Sequence, residues 1–103
     1  MIRLYDRNNP PEVDRVAVLY LTAANDGSRA TYSKILEKLS DEFTQIPVYM
    51  VELEDHPDLV MTFRVVGVPE LVAFPIKNGE PTDRMIGAKR KGETLAFFEG
   101  LLV

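Results

Sequence analysis

Eight residues in the second half of the chain, Arg64-Val-Val-Gly-Val-Pro-Glu-Leu71, restrict the fold more than any others. They set a glycine, a β-branched residue and a proline directly before an apolar run, Leu71-Val-Ala-Phe74. Proline has no N–H to give a sheet ladder, so Pro69 belongs at the first position of a strand and not inside one. It also drives Val68 towards extended geometry, and X-Pro bonds such as Val68–Pro69 are the small class that adopts cis. The strand leads into Lys77-Asn-Gly-Glu80, a turn whose glycine permits positive φ, so the chain folds back on itself as a hairpin.

A chain of 103 residues fits one domain, taken here as 1–103, with a single core. With 46% hydrophobic and 27% charged residues, the composition is that of a globular protein. There is no apolar run of membrane-spanning length and no signal-peptide core in Met-Ile-Arg-Leu-Tyr-Asp, so a cytoplasmic protein is expected. The sequence has no cysteine, which excludes disulfides, thiolate metal ligation and thiol catalysis. A net charge of −4 argues against broad binding to nucleic acid or anionic membranes.

Ile2 to Tyr5 reads as a short strand, followed by the turn-rich Asp6-Arg-Asn-Asn-Pro-Pro-Glu12, which cannot hold a full helix. Val16-Ala-Val-Leu-Tyr-Leu21 has the continuous apolar character of a central parallel strand covered on both faces. Thr22 to Arg29 then turns into a helix that Asn25 or Asp26 can cap, its apolar stripe being Tyr32, Ile35, Leu36, Leu39 and Phe43. Ile46 to Leu53 is the next strand, and Pro57 opens a short helix ending near Phe63. Leu71–Ile76 and roughly Arg84–Ile86 form the hairpin, with pairing interrupted at Pro75. A last helix runs from about Gly92 to Leu102 and turns Leu95, Phe98 and Leu102 to the sheet. The order β–β–α–β–α–β–β–α implies a mixed sheet with helices on both faces.

In order and spacing, these segments resemble the thioredoxin superfamily over nearly the whole chain. Val16 to Thr22 is similar to its central strand, Ile35-Leu-Glu-Lys-Leu39 to the helix after it, and Glu54-Asp-His-Pro57 to its acidic turn. Phe63 to Pro69 resembles the approach to its cis-proline, and Gly87-Ala88 the glycine step beside the active site. The resemblance implies a thioredoxin-like three-layer α/β/α fold with a mixed central sheet, its first helix trimmed or absent. By the same register the family's Cys-x-x-Cys falls on Asp26-Gly-Ser-Arg29, with Asn25 in place of a tryptophan. Tyr20 stands where the family has a buried aspartate, and Met50 where a lysine supports it. The thiolate chemistry and its proton relay are therefore both replaced.

What the resemblance leaves is a groove. Val68 would offer its backbone to an extended partner segment by strand addition, with the Asn25–Arg29 loop and Gly87-Ala88 as the other walls. This implies a cis Val68–Pro69 bond and a Val68 backbone group left unpaired by the sheet. The expected site is Asn25, Asp26, Gly27, Ser28, Arg29, Val68, Pro69, Gly87, Ala88 and Lys89. Arg29 with Lys89-Arg90-Lys91 would make it positive, favouring an acidic segment of a partner protein. On this reading the chain is a redox-inactive adaptor, accessory or chaperone-like module without a cofactor. The alternative is a small non-redox enzyme, or a glutathione- or anion-binding protein, using Ser28 and Arg29 at the helix start. His56 has no second imidazole or thiol, and Asp55 and Asp58 lack calcium-loop spacing, so a metal site is not expected.

Overall fold

The computed structural model describes residues 1–102. Its elements are β1 (Ile2–Leu4), β2 (Ala17–Thr22), α1 (Arg29–Glu42), β3 (Val48–Glu52), α2 (Asp58–Thr62), β4 (Glu70–Lys77), β5 (Glu80–Ile86) and α3 (Lys91–Gly100). The five strands form one sheet in the order β1-β3-β2-β4-β5. β2 runs parallel to β3 and antiparallel to β4, while β1 is parallel to β3 and β5 antiparallel to β4.

All six residues of β2 are buried, as its near-continuous apolar run requires of a central strand covered on both faces. Its side chains alternate between two cores. Val18 and Tyr20 join Tyr32, Leu36 and Leu39 of α1 and Phe97 and Phe98 of α3 on one face. Ala17, Leu19 and Leu21 join Leu59 of α2 with Val72 and Phe74 of β4 on the other. The stretch between β1 and β2 carries turns and no helix. The fold is thus an α/β mixed sheet with α1 and α3 on one face and α2 alone on the opposite face.

The hairpin turn places Asn78 at φ 54° and Gly79 at φ 77°. β5 begins at Glu80, four residues before the expected Arg84, because the tight turn lets pairing restart at Lys77–Glu80. A register shift between Ala73 and Ile76 accommodates Pro75, which cannot donate to the ladder. The Ile76 N–H is taken instead by the Val13 carbonyl, 2.7 Å away, which ties the first loop to β4.

α3 turns Phe98 and Leu95 to the core as expected, but Leu102 lies outside it. Thr94, Phe97 and Phe98 are buried, Leu95 and Leu101 pack at the margin, and Leu102 is exposed. The cause is a buried hydroxyl pair: Tyr32 Oη and Thr94 Oγ1 lie 3.1 Å apart, and Thr94 Oγ1 also donates to the Arg90 carbonyl. That pair fixes Thr94 inward and carries Phe97 and Phe98 with it.

Candidate functional site

The sheet order gathers the expected site residues at one edge. β2 and β3 are parallel and end there, β4 starts there, and β5 ends there, with Leu21 opposite Glu70 and Glu70 opposite Ile86. The loops carrying Asn25–Arg29, Val68–Pro69 and Gly87–Lys89 therefore meet along a single rim.

Pro69 is buried at the first turn into β4, and the Val68–Pro69 peptide is cis, as is Phe74–Pro75. The Pro69 carbonyl accepts a hydrogen bond from the Gly87 N–H at 2.8 Å, joining two walls of the rim directly. Gly87 makes that approach at φ 93°, a backbone setting suited to glycine. Val68 itself is half-buried, and among the described residues neither its N–H nor its carbonyl takes part in a backbone hydrogen bond. Ala88 and Lys89 are exposed beside it.

The start of α1 is organised by Asp26 and not in the way a helix cap would be. Ser28 occupies the cap position without a side-chain cap bond, and Asn25 is exposed. Asp26 Oδ1 accepts from the Ser28 N–H at 3.0 Å and from Ser28 Oγ at 2.7 Å, while Oδ2 accepts from Thr22 Oγ1 at 2.9 Å. Burial pushes this carboxyl up, but the bonds from Ser28 and Thr22, with the Arg29 charge, hold it below the usual carboxylate range. Gly27 is exposed in the same turn. Arg29 corrects the sequence-based picture of the charge: its guanidinium is bonded to Glu52 at the end of β3. Beyond Glu52, the Glu54 carboxylate accepts the Ala24 N–H at 2.6 Å, a bond that keeps it low in pKa. Arg29 therefore does not lend a free positive charge to the rim, and Ser28 Oγ is engaged by Asp26.

Under this turn Tyr20 is fully buried, with its hydroxyl 3.1 Å from Ser33 Oγ and its ring edge-on to Tyr32. Met50 lies across the ladder from Tyr20 and is half-buried. Among the described residues, the positions beneath this turn are held by the Tyr20 ring and Met50, neither of them charged. A cleft of about 650 Å³ opens on the outer flank of the helix start, lined by Ile2, Asp26, Gly27, Arg29, Glu37 and Met50 among others. It does not reach Val68, Pro69, Gly87, Ala88 or Lys89, so the expected site divides into an open rim and a separate cleft.

Two rim residues escaped the sequence reading. Glu70 directly follows Pro69, is fully buried, and has no hydrogen-bond partner at either carboxylate oxygen. Its nearest cation is Arg84, Nε to Oε2 3.6 Å, and Arg84 Nη2 also donates to the Phe63 carbonyl at 2.5 Å. Burial pushes the Glu70 carboxyl up in pKa, and the Arg84 charge only partly offsets this. Arg84 thus touches both ends of the segment 64–69 that carries Val68. The signal was legible: Glu70 is in phase with Val72 and Phe74 on a buried strand, where period two sends it inward. His56 stands apart from the rim, edge-on to Tyr5 and 3.4 Å from Arg7 Nη2. Among the described residues no group of three or more His, Asp or Glu side chains is placed to hold a metal ion, and no helix is long and apolar enough to cross a membrane.

No family model matches the chain. It is 34% identical over 62 residues to the thioredoxin of Mycobacterium tuberculosis, a match covering 59% of this chain and 52% of that protein. To the mitochondrial thioredoxin of Mus musculus it is 32% identical over 68 residues, covering 65% and 40%. The chain therefore spans about half the length of the curated relatives it matches. Among solved structures it is similar to the Malassezia sympodialis thioredoxin Mala s 13, with TM-score 0.76, 23% identity, and 87% and 77% of the two chains covered. Mitochondrial thioredoxin 3 from Saccharomyces cerevisiae gives TM-score 0.73 at 18% identity, covering 84% and 79%. The structural likeness establishes a thioredoxin-like fold, and over part of its length the chain is similar in sequence to thioredoxins, while it has no cysteine itself.

Proposed function

We propose that this chain is a redox-inactive thioredoxin-like binding module, an adaptor, accessory or chaperone-like protein that holds an extended segment of a partner protein against Val68. The observation that carries this reading is the state of the Val68 backbone, half-exposed and unengaged at a rim that Pro69 and Gly87 build together. An extended segment can add to such a backbone as a strand does to a sheet edge. Thiol exchange has no chemical basis here: the chain has no sulfur nucleophile, Asp26 and Arg29 are engaged with neighbours, and Tyr20 fills the space of a proton relay. The cytoplasmic location belongs to the same proposal. The reading that makes Ser28 and Arg29 a catalytic or glutathione-binding pair has less behind it, since Asp26 and Glu52 already occupy them.

The test is a binding measurement on a partner captured from the native source. Ala88→Arg and Val66→Asp place bulk and charge at exposed rim positions and should each weaken binding about tenfold or more. Arg15→Glu, exposed on the first loop, should leave it unchanged. Equal affinity across all three variants would place the binding face elsewhere.

A further inference from the structure

The sheet order also fixes what flanks the rim. Across that edge from β3 to β5, the chain sets down Glu52 at the end of β3 with Glu54 and Asp55 after it, Asp26 after β2, Val68 before β4, and Lys89, Arg90 and Lys91 after β5. On the β3 side these four carboxylates and Asp58 meet two guanidiniums, because Arg29 turns towards Glu52 and Arg7 donates to the Asp55 carbonyl and pairs with Asp58, which leaves the flank acidic. On the β5 side Lys89, Arg90 and Lys91 are all exposed, and none forms an ion pair among the described residues. Between the two flanks lie Val68, Pro69, Gly87 and Ala88, which carry no charge.

We infer that the segment held at the rim is itself bipolar, with a cationic side chain at the β3 end and an anionic one at the β5 end. This rests on the binding function proposed above and specifies its ligand. It replaces the wholly acidic segment that the sequence alone favoured, because that expectation counted Arg29 as a free positive charge. The flanks are three strand intervals apart, about 14 Å, and an extended chain covers about 3.3 Å per residue. The two charges on the ligand should therefore stand about four residues apart, with small uncharged residues between them over Val68.

Two peptides of one composition test this: acetyl-Lys-Thr-Val-Thr-Glu-amide and the reversed order, acetyl-Glu-Thr-Val-Thr-Lys-amide. Each is titrated into the ¹⁵N-labelled chain while the amide signals of Val66, Val68, Gly87 and Ala88 are followed. Because backbone pairing at Val68 has one polarity, one order should bind about tenfold more tightly, and about 0.5 M salt should abolish the preference. A variant joining Glu54→Lys and Asp55→Lys with Lys89→Glu and Arg90→Glu should invert it. Should that variant not fold, the salt dependence in the parent chain decides. Equal rim responses to both peptides overturn the bipolar ligand and leave the binding function standing. No response at these four amides to either peptide overturns both.

Discussion

Glu70 is the residue whose chemistry departs most from its surroundings. A carboxyl that is fully buried, with no hydrogen bond and one guanidinium at 3.6 Å, is costly in its ionised form. Its pKa is raised in the fold, so the native state favours the proton. That contribution to stability is complete below the ordinary carboxylate range and is lost as pH rises through the raised value. Glu70→Gln keeps the shape and removes the charge. Urea midpoints should show it more stable than the parent by about 1–2 kcal/mol at pH 8 and nearly equal at pH 4; a variant less stable at pH 8 would contradict this. Asp26 has the opposite sign. Its pKa is lowered by bonds from Ser28 and Thr22, so its contribution is present above the ordinary carboxylate range and fades as pH falls. Asp26→Ala should cost about 1–2 kcal/mol at pH 7, and less near pH 2.

At the scale of elements, the sequence reveals most where one physical signal dominates. The apolar run of β2, the α1 stripe and the Asn78-Gly79 turn each have a single reading, and each element formed where that reading put it. In α3 the expected Phe98 and Leu95 face the core but Leu102 does not, because the pattern is not purely hydrophobic: buried Thr94 outranks Leu102 through its bond to Tyr32, a partner 62 positions away. The same limit applies at the site. The rim followed from Gly-Val-Pro and Gly87, which act through local backbone geometry. The burial of Glu70 follows from its phase with Val72 and Phe74, but the Arg29–Glu52 pairing depends on which strands become neighbours, which local pattern does not encode. Two substitutions check the element account by chemical denaturation. Gly79→Ala should cost about 1 kcal/mol from backbone conformation alone, since a Cβ there meets no atom within 4 Å. Phe98→Ala empties the core between α1 and α3 and should cost about 3–5 kcal/mol.

On the scale of the whole molecule, a thioredoxin-like framework without cysteine carries the rim of Val68, Pro69 and Gly87. Reducing and oxidising buffers should give the same melting temperature, and the chain should not accelerate insulin reduction by dithiothreitol. Turnover by the purified chain would overturn the redox-inactive proposal. The central claim is that Val68 pairs with the partner through its backbone. Hydrogen–deuterium exchange, compared between the free chain and its complex with the captured partner, tests this most directly. The account predicts slowed exchange at Val66, Val68, Gly87 and Ala88. Protection confined to other faces, such as the cleft of about 500 Å³ between the first loop and Tyr49, with the Val68 amide unchanged, would contradict it.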